Sequence, residues 1–426
     1  MLDIKFIKDN RAIVEKAMAD KKREPIDLDQ VLSLYEERKE LRGQIDELNR
    51  QRNEAANNRD IETGKEIKEK LQSKDERLRQ IEQDFLTLMV QIPNIPSPDT
   101  PIGQDDSENK VIRTVGEKTQ FSFPPKAHWD LGRDLGVINS EKAAEVAGSR
   151  FTYIKGDLAL VQLALINLVF QKLTDVKWLE SVAQKVGLDI STKAFVPIFP
   201  PAMIKPQVLN RMARLDPKDD KYYLEKDDLY LAGSAEHTVG PLHMDETLVE
   251  GDLPLRYVGY STAFRREAGS YGKDTKGILR MHQFDKLEME NFCLPEDSIA
   301  EQDFLVAIQE NLMQALGLPY QVVAVCTGDM GFPDQRQVDI ETWMPGQDAY
   351  RETHSADLIG GFQPRRLNTK VKRADGRSDY VHMNDATAFA IGRTLIAIIE
   401  NYQTAEGQIA VPEVLRPWVG KDIISA

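Results

Sequence analysis

The sequence predicts an α+β protein in two parts. An N-terminal antiparallel helical hairpin, a coiled-coil arm, precedes a larger domain with an antiparallel β-sheet flanked by helices. Three observations carry this. Residues 28–92 hold no proline, are rich in Glu, Lys, Arg, Gln and Leu, and place apolar side chains on a 3-4 spacing, the mark of paired helices. Pro93, Pro96, Pro98 and Pro101 then stiffen the chain. Beyond them, short strand-like runs follow one another directly between longer helical stretches, which favours hairpins over a doubly wound parallel sheet. The 426 residues thus divide into an arm (1–92), a linker (93–123) and a main domain (124–426).

The elements follow in order. Ile4, Ile7, Ile13, Val14 and Ala17 give the first 25 residues an apolar helical face. Pro25 breaks it, and Asp27 is placed to cap the next helix. Leu34, Leu41, Ile45, Leu48 and Ala55 form one seam, with Arg38 and Arg52 in register. Ile67, Leu71, Leu78, Ile81, Phe85, Leu88 and Ile92 form the returning seam, with Lys74 in its skipped slot. Asn57 to Asp60 is polar and turn-prone, so two helices of about 30 residues, about 45 Å long, reverse there. On pattern alone this suits a structural or dimerising coiled coil better than RNA binding. Arg50, Arg52, Arg59, Lys65 and Lys68 gather toward the tip as candidate phosphate contacts. In the main domain the patterning predicts helices at 143–148, 158–174, 176–186, 298–316 and 388–402. It predicts strands at 195–199, 229–232, 320–326, 338–343, 365–371 and 381–384. A hairpin joins 255–264 to 279–292.

Composition narrows the function. Hydrophobic content of 41% and charged content of 29% describe a globular chain. A net charge of −14 opposes general attraction to nucleic acid, so any RNA contact must be local and shaped. Cys293 and Cys326 stand far apart, which suggests neither a disulfide framework nor a thiolate zinc site and fits a reducing compartment. The N-terminus MLDIKFIKDN lacks an apolar signal core, and the run 158–170 is too short to span a bilayer. The expectation is a cytoplasmic protein with no membrane partner. Neither GxGxxG nor GxxxxGK[ST] occurs, so the usual nucleotide-binding loops are not signalled.

Four clusters carry chemistry. The first is FRREAGSYGKDTKGILRMHQFDKLE, Phe264 to Glu288. Guanidinium groups grip phosphate bidentately, an aromatic ring stacks on a base, and carboxylates accept hydrogen bonds from an amine or hydroxyl. Arg265, Arg266, Glu267, Phe284 and Glu288 supply these types. Taken alone, the set suits a solvated surface hairpin equally well. The second cluster, Ser234-Ala235-Glu236, offers a hydroxyl and a carboxylate after a short strand. Arg351-Glu352-Thr353-His354-Ser355 again sets an arginine beside a carboxylate and hydroxyls. In the fourth, Asn384 to Arg393, small residues begin a helix with Arg393 one to two turns in, where a helix start favours anions. His282 and His354 read as structural hydrogen-bonders.

In order and spacing these clusters resemble those of seryl-tRNA synthetases, class II aminoacyl-tRNA synthetases, over nearly the whole chain. The 264–288 hairpin looks like class II motif 2 in its seryl form. NDATAFAIGRTLIAIIENYQ looks like motif 3, and Pro197 within 195–201 looks like the motif 1 proline. CTGDMGF, YRETHS and VPEVLRP fit the same family. Ser234 stands where the family usually has threonine. Asn384-Asp385-Ala386-Thr387 replaces Asn-Gly-Ser or Asn-Gly-Thr, and Ala356-Asp357 replaces a Ser-Asn run. The resemblance implies a class II synthetase catalytic domain, a homodimer, and an arm that binds tRNA. It implies activation of L-serine with ATP to seryl-adenylate and transfer to the 3′ end of tRNA(Ser), and of tRNA(Sec) where one exists.

By the same resemblance, Arg265 and Arg393 are the catalytic residues. Arg265, Arg266, Glu267, Phe284, Glu352, Thr353, His354, Ser355 and Arg393 bind ATP, with Arg393 on the adenine or at the γ-phosphate. Glu352 and Ser355 hold Mg2+. Ser234, Ala235, Glu236, Glu288, Asn384 and Thr387 bind serine. The loop Ala268–Gly277 is expected to meet the tRNA acceptor end. The alternatives are a paralogue that charges a carrier protein, against which the arm argues, and a non-catalytic binding paralogue, against which the retained Arg265, Glu267, Glu288 and Arg393 argue.

Overall fold

The Asp27 carboxylate accepts from the backbone N–H groups of Asp29 and Gln30 and starts the first long helix of the arm. Two short helices, α1 (Ile4–Asp9) and α2 (Arg11–Asp20), precede it. The arm itself is α3 (Leu28–Asn57) and α4 (Ile61–Met89). Asp60 caps α4 through the Thr63 N–H at 3.1 Å. The computed structural model describes residues 1–268 and 276–426, which form two units, Met1–Ile95 and Pro96–Ala426. Within the first, Ile7, Val14, Met18, Leu28, Val31, Phe85, Met89 and Ile92 make one core at the root of the arm. Ile45, Leu48, Ala55, Ile67 and Leu71 make another farther along. Ile13 lies outside the buried face, at 48% exposed. The helix breaks at Asn10, and the 3-4 spacing restarts as Val14, Ala17 and Met18. Two polar slots of the seam, Arg38 and Lys74, pair across the hairpin with Glu82 at 3.3 Å and Gln44 at 2.5 Å, and Arg77 reaches Glu37 beside them at 2.8 Å.

The second unit is built on an eight-stranded sheet. Its strands in chain order are β1 (Lys110–Val115), β2 (Val196–Ile198), β3 (Leu255–Phe264), β4 (Gln283–Cys293), β5 (Tyr320–Ala324), β6 (Arg336–Met344), β7 (Ala349–Gly360) and β8 (His382–Ala390). Across the sheet they run β1-β5-β6-β7-β8-β4-β3-β2. Every neighbour is antiparallel except β2, which lies parallel to β3 through Val196↔Tyr257. The apolar face holds Leu287, Met289, Ile340, Ala356, Ala386 and Phe389, packed in one core with α5 (Asp157–Leu173) and with Phe304, Leu305, Ile308 and Leu312 of the helix Ser298–Ala315. Among the described residues no single helix is long and apolar enough to cross a membrane.

Three stretches differ from the sequence expectation. Within the stretch 93–123 assigned to a linker, Lys110–Val115 is an edge strand of the sheet. The proline run ends at Pro101, and Val111 and Ile112 are β-branched, which suits a strand. Residues 365–371 are a helix, Phe362–Leu367, followed by a short strand, Lys370–Lys372. Pro364 sits in the first turn, where its missing N–H costs nothing, and Asn368 at φ 57° ends the helix. The helix expected from residue 388 begins at Ile391 instead. Ala386 to Ala390 belong to β8, where pairing with Lys286–Met289 overrides the weak local preference of small residues. The loop Ala268–Gly277, expected to meet tRNA, lies outside the described residues from 269 to 275.

Candidate active site

Strand alternation aims Phe284, Lys286, Glu288 and Glu290 of β4 at the same face of the sheet. The two strands beyond β4 reach that face by a different device. In β8, Glu288 pairs with Thr387 and Leu287 with Phe389, so Ala388 is an extra, unpaired residue. In β7, Ile340 pairs with His354 and Glu341 with Glu352, so Thr353 is extra. Each is a β-bulge, which shifts the face of everything beyond it by one residue. Glu352 and Ser355, three apart, therefore share a face, and so do Thr387 and Ala390. β7 and β8 pair only from Ala356↔Ala386 onward. Where their ladder ends, Gln309 donates to the Ser355 and Thr387 carbonyls at 2.8 and 2.9 Å.

On this face lies a cavity of about 320 Å³, bordered by Arg265, Phe284, Glu352, Ser355 and Arg393 and by Arg214, Glu236, Lys286, Asp357 and Thr387. The Arg265 guanidinium rests 5.4 Å over the Phe284 ring, and its Nε donates to the Gly233 carbonyl at 3.0 Å. Arg393 lies in the first turn of the helix Ile391–Asn401, not one to two turns in. Its Nη1 donates to the Glu352 carbonyl at 2.9 Å and pairs with the Glu352 carboxylate at 3.0 Å. Burial opposes charge on Glu352, but Arg393 outweighs it and holds the carboxyl below its ordinary range. Glu267 has a positive φ of 54° and pairs with Arg280 at 3.3 Å.

The other end is crowded with acids. Lys286 Nζ lies 2.7 Å from Glu288 and 3.2 Å from Ser234 Oγ. Arg214 Nε lies 3.2 Å from Glu236. Burial opposes the charge of Glu236, but Arg214 and then Lys286 hold its carboxyl at about 2. Burial pushes Glu288 up to about 7, against the pull of Lys286 and with the push of Glu236. Glu290, Asp357 and Asp385 are driven well above the carboxylate range by burial and by neighbouring acids. Oxygens of Glu236, Glu288 and Asp385 converge within 4.8 Å, but Lys286 and Arg214 already supply cations there.

Several expected residues do not present their polar groups to the cavity. The Arg266 guanidinium stacks 4.5 Å over Tyr222 and donates to the Lys221 carbonyl. His354 falls on the apolar face, 5.7 Å from Phe389, with Nδ1 at 2.8 Å from the Thr353 hydroxyl. Burial drives its imidazole down to about 3, so it is neutral. Thr353 borders the cavity, but its hydroxyl meets Thr342 at 2.7 Å. Asn384 donates to the Ser298 carbonyl at 2.8 Å on the opposite face, while Asp385 faces the cavity side. Ala235 is buried at the start of the short helix Glu236–Val239. Lys286, Glu290, Asp357, Asp385 and Arg214 were missed. Lys286 and Glu290 lie in the same alternation as Phe284 and Glu288, a signal in plain view. Asp357 and Asp385 require the bulges, and Arg214 has no signature in sequence.

A sheet of this topology, with arginines at one end of its cavity and carboxylates at the other, defines a class II aminoacyl-tRNA synthetase core. The family described as tRNA synthetase class II core domain (G, H, P, S and T) matches residues 221–402. The chain belongs to the seryl-tRNA synthetases: the Seryl-tRNA synthetase N-terminal domain matches residues 1–96. A serine–tRNA ligase of Petrotoga mobilis is 38% identical over 100% of both chains. One of Thermodesulfovibrio yellowstonii is 39% identical, also over 100% of both. The seryl-tRNA synthetase of Pyrococcus horikoshii complexed with ATP superposes with a TM-score of 0.85 at 32% identity, covering 100% of this chain and 99% of that one.

Proposed function

We propose that the chain is a serine–tRNA ligase that activates L-serine with ATP to seryl-adenylate, releasing pyrophosphate, and passes serine to the 3′ end of tRNA(Ser), and of tRNA(Sec) where one exists, releasing AMP. The observation that carries this is a single cavity with Arg265 and Arg393 at one end and Glu236, Lys286 and Thr387 at the other, with Glu288 buried directly behind Lys286 and Thr387. Arg265 holds the α-phosphate as serine's carboxylate attacks it, and Arg393 takes the adenine or the γ-phosphate. Phe284 offers a ring face to adenine. The chemistry is positioning and charge stabilisation, with no covalent enzyme intermediate. Glu288 and Glu236 receive the serine ammonium. Thr387 Oγ1, 3.4 Å from Glu288, and Ser234 stand near the hydroxyl. Glu352 and Ser355 are oxygen donors sharing one face, which fits magnesium. The ion would neutralise phosphate charge.

The arm is the tRNA-binding element, the working protein is a cytoplasmic homodimer, and residues 124–426 are the catalytic domain. Serine-dependent ATP–pyrophosphate exchange followed by charging of serine tRNA tests the reading. Absence of exchange defeats it, and exchange without charging leaves only amino-acid activation. Arg265→Ala is expected to abolish exchange.

A further inference from the structure

A buried arginine that the family resemblance does not assign stands beneath the amino-acid end of the cavity. The helix Pro206–Arg211 ends with Ala213 in the left-handed region at φ 57°, and the Arg214 N–H closes back on the Leu209 carbonyl at 3.2 Å. That turn sends the Arg214 side chain inward, where it is 17% exposed. Its guanidinium then meets four carboxyls from four separate elements. Glu236, opening the short helix, lies at 3.2 Å. Asp334, in the loop before β6, lies at 3.7 Å, Asp357 of β7 at 3.6 Å and Asp385 of β8 at 3.5 Å.

We infer that Arg214 is a positioning residue for the serine site: it holds the Glu236 carboxylate charged and in place, and so governs how tightly serine's ammonium group is bound. The inference rests on the serine-activating reading. The geometry argues for it in two ways. Four carboxyls converge on this one cation, so removing it leaves the acids facing one another. The other charged groups around Glu236 cannot substitute: Lys286 is 4.0 Å away and already engaged by Glu288 at 2.7 Å, and His237, at 3.7 Å, is kept neutral by burial. Glu290, buried with neither oxygen hydrogen-bonded, adds only another acid. Without Arg214, Glu236 would take up a proton rather than remain a buried, unbalanced charge.

The test is serine-dependent ATP–pyrophosphate exchange on the full chain, with serine KM, ATP KM and kcat measured from about pH 6.5 to 8.5. Arg214→Met is expected to raise serine KM at least about tenfold, to leave ATP KM and kcat within about threefold, and to displace the pH profile of serine KM upward. Arg214→Lys, which keeps the charge, is expected to recover most of that loss. An unchanged serine KM, or a rise shared equally by ATP KM and kcat, overturns the inference. Should Arg214→Met not fold, as judged by thermal melting, Arg214→Gln carries the same expectation, because its amide still bonds to neighbouring carboxyls. A wild-type chain that gives no exchange with serine overturns the functional reading itself, and that outcome shows in the wild-type arm alone.

Discussion

Glu236 and Glu288 are both buried and respond in opposite directions. Glu236 has Arg214 beside it and is held at about 2, whereas Glu288 has a shared lysine and an acidic neighbour and rises to about 7. In the proposed function the serine ammonium favours the charged form of Glu288. Binding therefore releases a proton from that carboxyl, and serine KM should fall as pH rises through about 7. Steady-state exchange between about pH 6 and 8 reads this directly, and a flat profile would sink it. Glu288→Gln should raise serine KM by at least about tenfold and abolish the slope. At this scale legibility followed side-chain type. Phe284 and Glu288 could be picked from chemistry and alternation. Asn384 was picked over Asp385 because neighbours in a strand differ only by face, and one sequence does not show which side the core takes.

The elements around the cavity are held by two small devices. His128 is fully buried, with Nδ1 at 2.8 Å from Glu400 and Nε2 accepting the Ile278 N–H at 3.1 Å. It fixes the chain where Ile278 to Met281 border the cavity. Gly277, at φ 77°, is what admits it: a Cβ there would lie 2.0 Å from His128 Nε2. Gly277→Ala is therefore expected to raise ATP KM at least about tenfold, with a smaller change in serine KM; equal KM values for mutant and wild type would show the contact to be idle. Gln309 is the second device. Gln309→Leu strands one buried and one part-buried carbonyl and should cost about 1–3 kcal/mol of unfolding free energy, readable by denaturant titration. Neither device was legible. His128 and Gln309 meet partners 150 and 78 residues away, and such pairings exist only after the sheet has formed.

For the molecule as a whole, the arm was the most legible part, because heptad spacing and caps are local. The sheet was legible in kind but not in extent: β1 was hidden in a segment dominated by prolines, and the single parallel pair had no local signal. Deleting Asp27–Ile92 with a short splice should leave exchange near its wild-type rate and cripple charging of serine tRNA; surviving charging would reduce the arm to a structural part. Stability of the second unit leans on a buried pair. Arg256 and Glu301 meet at 2.6 and 2.9 Å, and Asn291 donates to the same carboxylate at 2.9 Å. Glu301→Ala leaves the guanidinium buried without its counter-charge and should destabilise the fold by about 3–5 kcal/mol, measured as a lowered denaturant midpoint.

The extra residue at Ala388 acts on side chains as a frameshift acts on codons. Strict alternation carried back from Phe389 would put Ala388, Ala386 and Asn384 on the cavity side and turn Thr387 and Asp385 away from it. The extra residue reverses that assignment and puts an acid, Asp385, opposite Glu290. Were the strand to close this bulge without losing a residue, Asp385 and Thr387 would turn away from the cavity and Asn384 and Ala386 would take their place. The bulge at that point is thus as strictly specified as identity, and a substitution that flattens it should weaken serine activation even when every named side chain is kept.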